Sequence, residues 1–456
     1  MATQSTSTGR RSDVEMVRVE VKGARWVAAA SEVELLLGEG SPHWFDLSTD
    51  ERTSLVKRGS GRVVLRVNFA ERVVYAKVFE TVRGFGLKRL APIFRLDGAS
   101  RGWRALRRAE AMGIGVARPL AVGRETGNEK RSVLLTEGVE DARNLRELWS
   151  MRRAISSFTE RAAARIETSA IIGATARLFA SAHAHAFVHS DPHPGNILLA
   201  PQSGGGFKAF FVDVQESMGR RRRLSIRRAA MNLAMLDQGM KRWASRTARF
   251  RFLRTYLEEW SRIQKDNGKR SNPNSAAMED MLRGFLRILS EASAVHAAAL
   301  ARQRDRRLRV GGKYFAPIQL AGGWSGTVYL TLERRHVFAE MDTPDRTWEE
   351  WRRILEGIVM ENSRRSATTP DAECQRISWK ILSASGRAEA LLWQLTGSPA
   401  RNTFLRSHRL RHRDLPSLLV LGFLEHRSAL GGIDTAIVFF PINGLAEAAG
   451  SGEVRS

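Results

Sequence analysis

Apolar positions along this chain follow two different periods. Residues 72–79, Arg-Val-Val-Tyr-Ala-Lys-Val-Phe, alternate apolar and polar and predict a strand with a single inward-capable cation, Lys77. Phe210, Phe211 and Val212 predict a second short strand ending in Asp213. The glycine-rich residues 203–206 before it read as a hairpin connection, since glycine tolerates positive φ at little cost. In the middle of the chain the period is helical. Residues 150–186 place Ile171, Ala174, Leu178 and His185 near one face, and Ser225 caps a segment with Ile226, Ala229, Leu233, Leu236 and Met240 on one side. Phe250, Leu253, Leu257 and Trp260 make a further stripe, and all three stripes are assigned to the core. His183 and His185 have no acid or thiol partners at metal-ligand spacing, so they read as packing or capping residues.

A polar breaker over residues 264–275 is followed by a helix-like stretch at 276–303 and an arginine-rich boundary at 302–309. The second unit that begins there repeats the first in outline. Residues 378–382, containing Lys380, match the Lys77 strand; residues 399–416 match residues 99–116 with Phe404 against Trp103; and residues 436–440 match residues 132–136. The expected organisation is α+β: a lead over 1–49, partly disordered at its start, a sheet-rich lobe over 50–145, a helical lobe over 146–304, and a second α+β unit over 305–456 that resembles the sheet-rich lobe.

Composition narrows the setting. Cys374 is the only cysteine, which excludes a disulfide framework and any cysteine-built metal site. Residues 1–11 are polar and lack the apolar core of a secretory signal, and no apolar run approaches the roughly 18 residues that span a bilayer. The run from Leu418 to Leu424 reads as buried strand. A cytoplasmic protein able to touch a membrane peripherally is expected. The 73 Lys and Arg against 48 Asp and Glu leave a formal charge of +25, which favours anionic partners such as phosphorylated sugars or an acidic membrane face. Nucleic acid is expected to bind such a surface only weakly or non-specifically. The cluster Arg220, Arg221, Arg222 and Arg223 follows Asp213 closely enough to meet an anionic acceptor.

The chemistry concentrates in His189-Ser190-Asp191-Pro192-His193-Pro194-Gly195-Asn196. HxDxxxxN is the catalytic-loop pattern of protein-kinase-like phosphotransferases, where the Asp serves an acceptor hydroxyl and the Asn five residues later holds Mg²⁺. Asp213 stands seventeen residues beyond Asn196, where a second metal-binding acid belongs, although Val214-Gln215 replaces the usual Phe-Gly. Lys77 lies upstream, on the kind of strand that sets an ammonium against nucleotide phosphates. Gly59-Ser60-Gly61 is what stands for a glycine-rich loop, and it is equally an ordinary hairpin turn. His193 is expected to hydrogen-bond locally. The order strand-Lys, helix, HxDxxxxN, strand-Asp is what makes the set specific.

From about Leu55 to Trp260 the chain resembles the lipopolysaccharide core kinases, the Kdo and heptose kinase family of the protein-kinase-like superfamily. The residues that carry the likeness are Tyr75 to Phe79, Ala109 to Gly123, the His189 to Asn196 loop, Asp213, and Arg249 to Leu257. The resemblance implies a two-lobed protein-kinase-like fold and ATP-dependent, Mg²⁺-assisted transfer to a hydroxyl of a lipopolysaccharide core sugar or similar anionic glycolipid. It also implies Lys77, with Gly59 and Gly61, at the nucleotide, Asp191 as acid/base, and Asn196 and Asp213 as Mg²⁺ ligands. The helix glutamate that pairs with the lysine in this family has no clear counterpart, with Trp103 near its place and Glu110 a later candidate. The Asp-Pro-His-Pro-Gly-Asn form also resembles the ubiquinone-biosynthesis atypical kinases, but their KxGQ motif is missing, and Ala28-Ala29-Ala30-Ser31 runs into a helix-like stretch. A nucleotide-binding pseudokinase scaffold is the remaining alternative.

Overall fold

The computed structural model describes residues 15–47, 50–59, 61–69, 71–80, 97–126, 131–153, 158–214, 218–219, 224–241, 243–266, 275–311, 314–330, 348–364, 377–429 and 431–441. The chain divides into two compact units, Met1–Ala294 and Val295–Ser456.

The first unit opens with β1 (Met16–Val21), β2 (Ala24–Ala29) and α1 (Ala30–Leu37), then β3 (Thr53–Gly59), β4 (Arg62–Phe69) and β5 (Arg72–Glu80). After α2 (Gly98–Ala111) come β6 (Pro119–Glu125) and β7 (Arg131–Glu137). These seven strands form one antiparallel sheet in the order β1-β2-β6-β7-β5-β4-β3. Residues 16–47, which the sequence set apart as a lead, are therefore part of the lobe. They supply two strands, and with α1 they cover one face of the sheet: Trp26, Leu36, Leu37, Trp44 and Phe45 pack with Val74, Ala76 and Val78 in one apolar cluster. The period-2 pattern of β5 explains why. With Val74, Ala76 and Val78 committed to that cluster, Tyr75, Lys77 and Phe79 must point to the opposite face, the one on which Leu134 and Val122 meet α2 and the helical lobe.

The helical lobe contains β8 (Arg143–Asn144), α3 (Leu145–Arg153), α4 (Phe158–Ala184), β9 (Phe187–Val188), β10 (Ile197–Pro201), β11 (Phe207–Phe211) and β12 (Met218–Gly219). It continues through α5 (Ile226–Met240), α6 (Arg246–Asp266) and α7 (Ser275–Val310), the last of which runs across the division between units and across the boundary expected at 304/305. The predicted hairpin at 203–206 joins β10 and β11, with Gly205 and Gly206 both at positive φ. Ser225 caps α5 as expected, accepting from the Arg228 amide. The expected stripes need correction at three places. Ile226 is 37% exposed and Phe250 43%, so both lie at the edge of their stripes, and on α4 the fully buried histidine is His183, while His185 is half-buried and bonds the Ser181 carbonyl one turn back.

The second unit adds β13 (Phe315–Leu320), β14 (Trp324–Tyr329), α8 (Trp348–Arg364), β15 (Ile377–Ser383), α9 (Arg387–Thr396), α10 (Pro399–His412), β16 (Gly422–Arg427) and β17 (Ile433–Pro441). Its sheet order, β13-β14-β16-β17-β15, reproduces β1-β2-β6-β7-β5 of the first unit. The registers agree as well. Lys77 faces Leu134 and Leu134 faces Val122, just as Lys380 faces Val438 and Val438 faces Phe423. Even the helix caps correspond. Asp97 caps α2 and lies 3.8 Å from Arg124 of β6, while Ser398 caps α10 and its amide donates to Glu425 of β16. Among the described residues the second sheet has no counterpart of the β3–β4 hairpin, and Lys380 is exposed on a strand that pairs only with β17.

Candidate active site

Lys77 and Asp213, 136 residues apart in the chain, meet with Nζ 3.2 Å from Oδ1. Arg62 of β4 joins them, its guanidinium lying 3.3 Å from Oδ1 and 3.2 Å from Oδ2 of the same carboxylate. Asp213 adopts φ 61°, a left-handed conformation costly for a residue with a Cβ but least unfavourable for Asn and Asp. Burial pushes the Lys77 ammonium below its ordinary value, against the opposing pull of Asp213. Burial alone would raise the Asp213 carboxyl, but the neighbouring Lys77 and Arg62 charges outweigh it and hold the group below its usual value. Asp213 is therefore ionised at neutral pH, and with Lys77 and Arg62 it forms a partly desolvated cluster.

β11 ends at Phe211, two residues before Asp213 and short of the strand end expected there, and the HxDxxxxN loop is stitched onto the segment that follows it by backbone and side chain. The Val212 amide donates to the Asn196 carbonyl at 3.0 Å, and His189 Nε2 lies 2.9 Å from the Val212 carbonyl. The Asp191 amide donates to His189 Nδ1 at 3.1 Å, which assigns the proton to Nε2; burial lowers the pKa of this ring and keeps it neutral. His189 is thus a two-sided brace. Asn196 is buried, and its Nδ2 donates to the Asp191 carbonyl at 2.9 Å, closing the loop across five residues. The Asp191 carboxylate, by contrast, is 64% exposed and available to an incoming group. His193 accepts from the Gly195 amide through Nδ1, the local bond expected of it, and its Nε2 is 3.8 Å from Asp191 Oδ2.

A buried polar chain supports the loop from below. Asn232 of α5 donates through Nδ2 to the His189 carbonyl at 2.6 Å, which leaves its Oδ1 as acceptor for His183 Nε2 at 3.1 Å. The other His183 nitrogen, Nδ1, then accepts from the Tyr256 hydroxyl at 2.8 Å. Each donor meets an acceptor, so the direction of the whole chain is determined. Burial lowers the His183 pKa to about 4 and raises the Tyr256 hydroxyl well above its ordinary value, so both stay neutral. Gly239 completes the support, because a Cβ there would stand 2.5 Å from Pro194 Cδ.

The structure thus brings Lys77 to Asp213, and Asn196 and Asp191 onto the segment that holds Asp213. Gly61, at φ 72°, makes the tight β3–β4 turn and Gly59 ends β3 opposite Arg62. Glu110 lies 3.0 Å from Arg107, its neighbour one turn back, and Trp103 packs against the core, so among the described residues neither is paired with Lys77. Arg220 to Arg223 and Gln215 lie outside the described residues. Sequence reasoning missed Arg62, Asn232 and Tyr256. An arginine directly after a turn glycine and a polar residue inside an apolar helical stripe were the signals available. A separate cavity of about 520 Å³ lies among α3, α4, α5, α6 and α7, lined mainly by apolar side chains such as Trp149, Ile171, Leu233 and Leu253, and includes none of Lys77, Asp191, Asn196 and Asp213.

Residues 80–256 match the model of the lipopolysaccharide kinase (Kdo/WaaP) family. Through this segment the chain is similar to that family. Members of that family are lipopolysaccharide kinases, and the match supports a phosphotransferase. The matched segment holds the HxDxxxxN loop, Asp213, Asn232 and Tyr256, and begins three residues after Lys77. A solved structure titled "WaaP in complex with acyl carrier protein" is similar at 21% identity with a TM-score of 0.38, covering 57% of this chain and 99% of that one. No curated protein matches the chain. Among the described residues no helix is long and apolar enough to cross a membrane.

Proposed function

We propose that the first unit transfers the γ-phosphoryl group of ATP to a hydroxyl of a lipopolysaccharide core sugar or similar anionic glycolipid at the cytoplasmic face of a membrane. The observation that carries the reading is the contact of Lys77 with Asp213 beside a loop that buries Asn196 and exposes Asp191. The Asp213 carboxylate and the Asn196 amide oxygen are hard oxygen donors, the type Mg²⁺ prefers, so the residues present fit the metal. Asp213 and Asn196 would hold Mg²⁺ there, and the ion would supply neutralisation of charge developing on the transferred phosphoryl group.

Each side chain then has a definite task. Lys77, held on a sheet face by the β5 register, sets its ammonium against the nucleotide phosphates. Asp191 accepts the proton of the acceptor hydroxyl, and its exposure suits a residue that must meet an incoming sugar. His189 and Asn196 fix the Asp191 backbone, so that little reorganisation accompanies transfer. The second unit lacks counterparts of the HxDxxxxN loop and of Asp213 in its sequence, and is not catalytic in this reading. The test is release of ADP and incorporation of phosphate with purified lipopolysaccharide core oligosaccharide, comparing wild type with Asp191→Asn. If the wild-type protein phosphorylates a protein or a quinone-pathway lipid but never the sugar, the substrate is wrong and the chemistry stands.

A further inference from the structure

We infer that Arg62 is a second nucleotide-phosphate ligand, exchanging the Asp213 carboxylate for phosphate oxygens when metal and nucleotide arrive. The inference rests on the reading of this cleft as a nucleotide site. Arg62 is the first residue of β4, directly after Gly61, and the turn is tied to β5 by the Glu80 amide donating to the Gly61 carbonyl at 2.9 Å. In the β4–β5 ladder Arg62 faces Phe79 and Val64 faces Lys77, so Arg62 and Lys77 project from the same sheet face two rungs apart. Lys57 of β3 faces Val64 and adds to the positive field felt by Lys77 and Asp213.

The guanidinium spans both oxygens of Asp213 in a two-pronged arrangement, with the Arg62 side chain 27% exposed and that of Asp213 21%. A divalent cation on the same oxygens would compete with this geometry. A carboxylate carrying one negative charge already serves the Lys77 ammonium and the Arg62 guanidinium, and a metal ion on the same oxygens would set a third cation within a few ångströms of the other two. Lys77 is held by its register on a central strand. Arg62 has a longer side chain and sits beside a two-glycine turn, so it is the group free to swing. The nearest anions would then be the nucleotide phosphates, which match the planar guanidinium fork. In the nucleotide-free protein Arg62 thus holds Asp213 ionised and in place, and afterwards it holds phosphate.

Calorimetric titration of the full chain with a non-hydrolysable ATP analogue and Mg²⁺, and separately with adenosine, tests this. Arg62→Gln is expected to weaken the analogue about tenfold or more while adenosine affinity stays within about twofold, since the lost contacts are phosphate contacts to a charged group. Arg62→Lys keeps the charge without the fork and is expected to fall between the two; it answers the question alone if the glutamine variant does not fold. Analogue affinity equal to wild type in the variants would make Arg62 a structural tie and overturn the inference, leaving the nucleotide reading intact. Failure of the wild-type protein to bind the analogue at all would overturn both.

Discussion

Replacing Asn232 by leucine should loosen the catalytic loop without touching any group that meets substrate. Asn232 bonds the His189 carbonyl at 2.6 Å and accepts from His183 at 3.1 Å, and Asn232 and His183 are both buried. Leucine has nearly the same shape but satisfies neither partner, so one buried carbonyl and one buried ring N–H lose their bonds together. At about 1–3 kcal/mol for each buried group left unsatisfied, the loss is about 2–6 kcal/mol. Because the chain has two units, a single melting temperature would blur the effect. Hydrogen exchange of the amides of Asp191, His193, Gly195, Asn196 and Val212 reads it locally and should show that much loss of protection. Turnover should fall more than nucleotide affinity, since Lys77 is positioned by β5 and Asp213 is also held by Lys77 and Arg62. Tyr256→Phe removes the far end of the same chain, and the double variant should cost less than the sum of the two singles because they share His183. Unchanged exchange at Asp191 and Val212 in Asn232→Leu would show that the loop is held by its own turns and that the buried chain is only packing.

Four further outcomes follow from the same geometry. Asp191→Asn should abolish phosphate incorporation while the affinity for nucleotide, measured calorimetrically, stays near wild type; Asp213→Asn should weaken metal-dependent nucleotide binding itself. Lys77→Met should lower turnover, and it should also raise the pKa of the Asp213 carboxyl, observable by carbonyl NMR, because the charge that offsets its burial is gone. His183 has a folded pKa of about 4 against 6.5 for the free side chain, so the unfolded chain takes up the proton first. Stability is intact above about pH 6.5 and falls as pH drops toward 4, by up to ~3 kcal/mol, and a pH series of exchange protection in α4 and α5 should show a shallower fall in His183→Leu. Gly239→Val should displace Pro194, against which a Cβ would lie at 2.5 Å, lowering turnover and loop protection together.

How much of this was legible in the chain depends on how local the information was. The Lys77 strand, the β10–β11 hairpin and the HxDxxxxN loop are each encoded within about ten residues, and each formed where the pattern placed it. The stripe ends went wrong at Ile226 and Phe250 because periodicity reports a face and not how far a neighbouring helix extends over it. The pairing of strands from residues 16–29 with β6 is a long-range choice. No local pattern distinguishes a two-stranded lead from the edge of a seven-stranded sheet, so only the assembled ladder shows it.

The second unit shows the same distinction from the other side. Its strands were matched to the first by apolar pattern alone, and the registers Lys77–Leu134 and Lys380–Val438 agree, because a strand flanked by the same neighbours keeps the same alternation of buried positions. What the pattern could not convey was topology: Lys380 occupies the equivalent rung, yet its strand lacks the β3–β4 side of the sheet among the described residues. In the first unit that hairpin supplies Arg62 and Lys57 and makes the Lys77 strand an inner one. A lysine on an edge strand is exposed, whereas one on an inner strand of the sheet and drawn to Asp213 is partly desolvated. Among the described residues, then, two lysines at equivalent rungs differ in the strand and the acid beside them: Lys77 has β4, Arg62 and Asp213, and Lys380 has β17 alone, which weighs more for phosphoryl transfer by the first unit than the strand motif that the two units share.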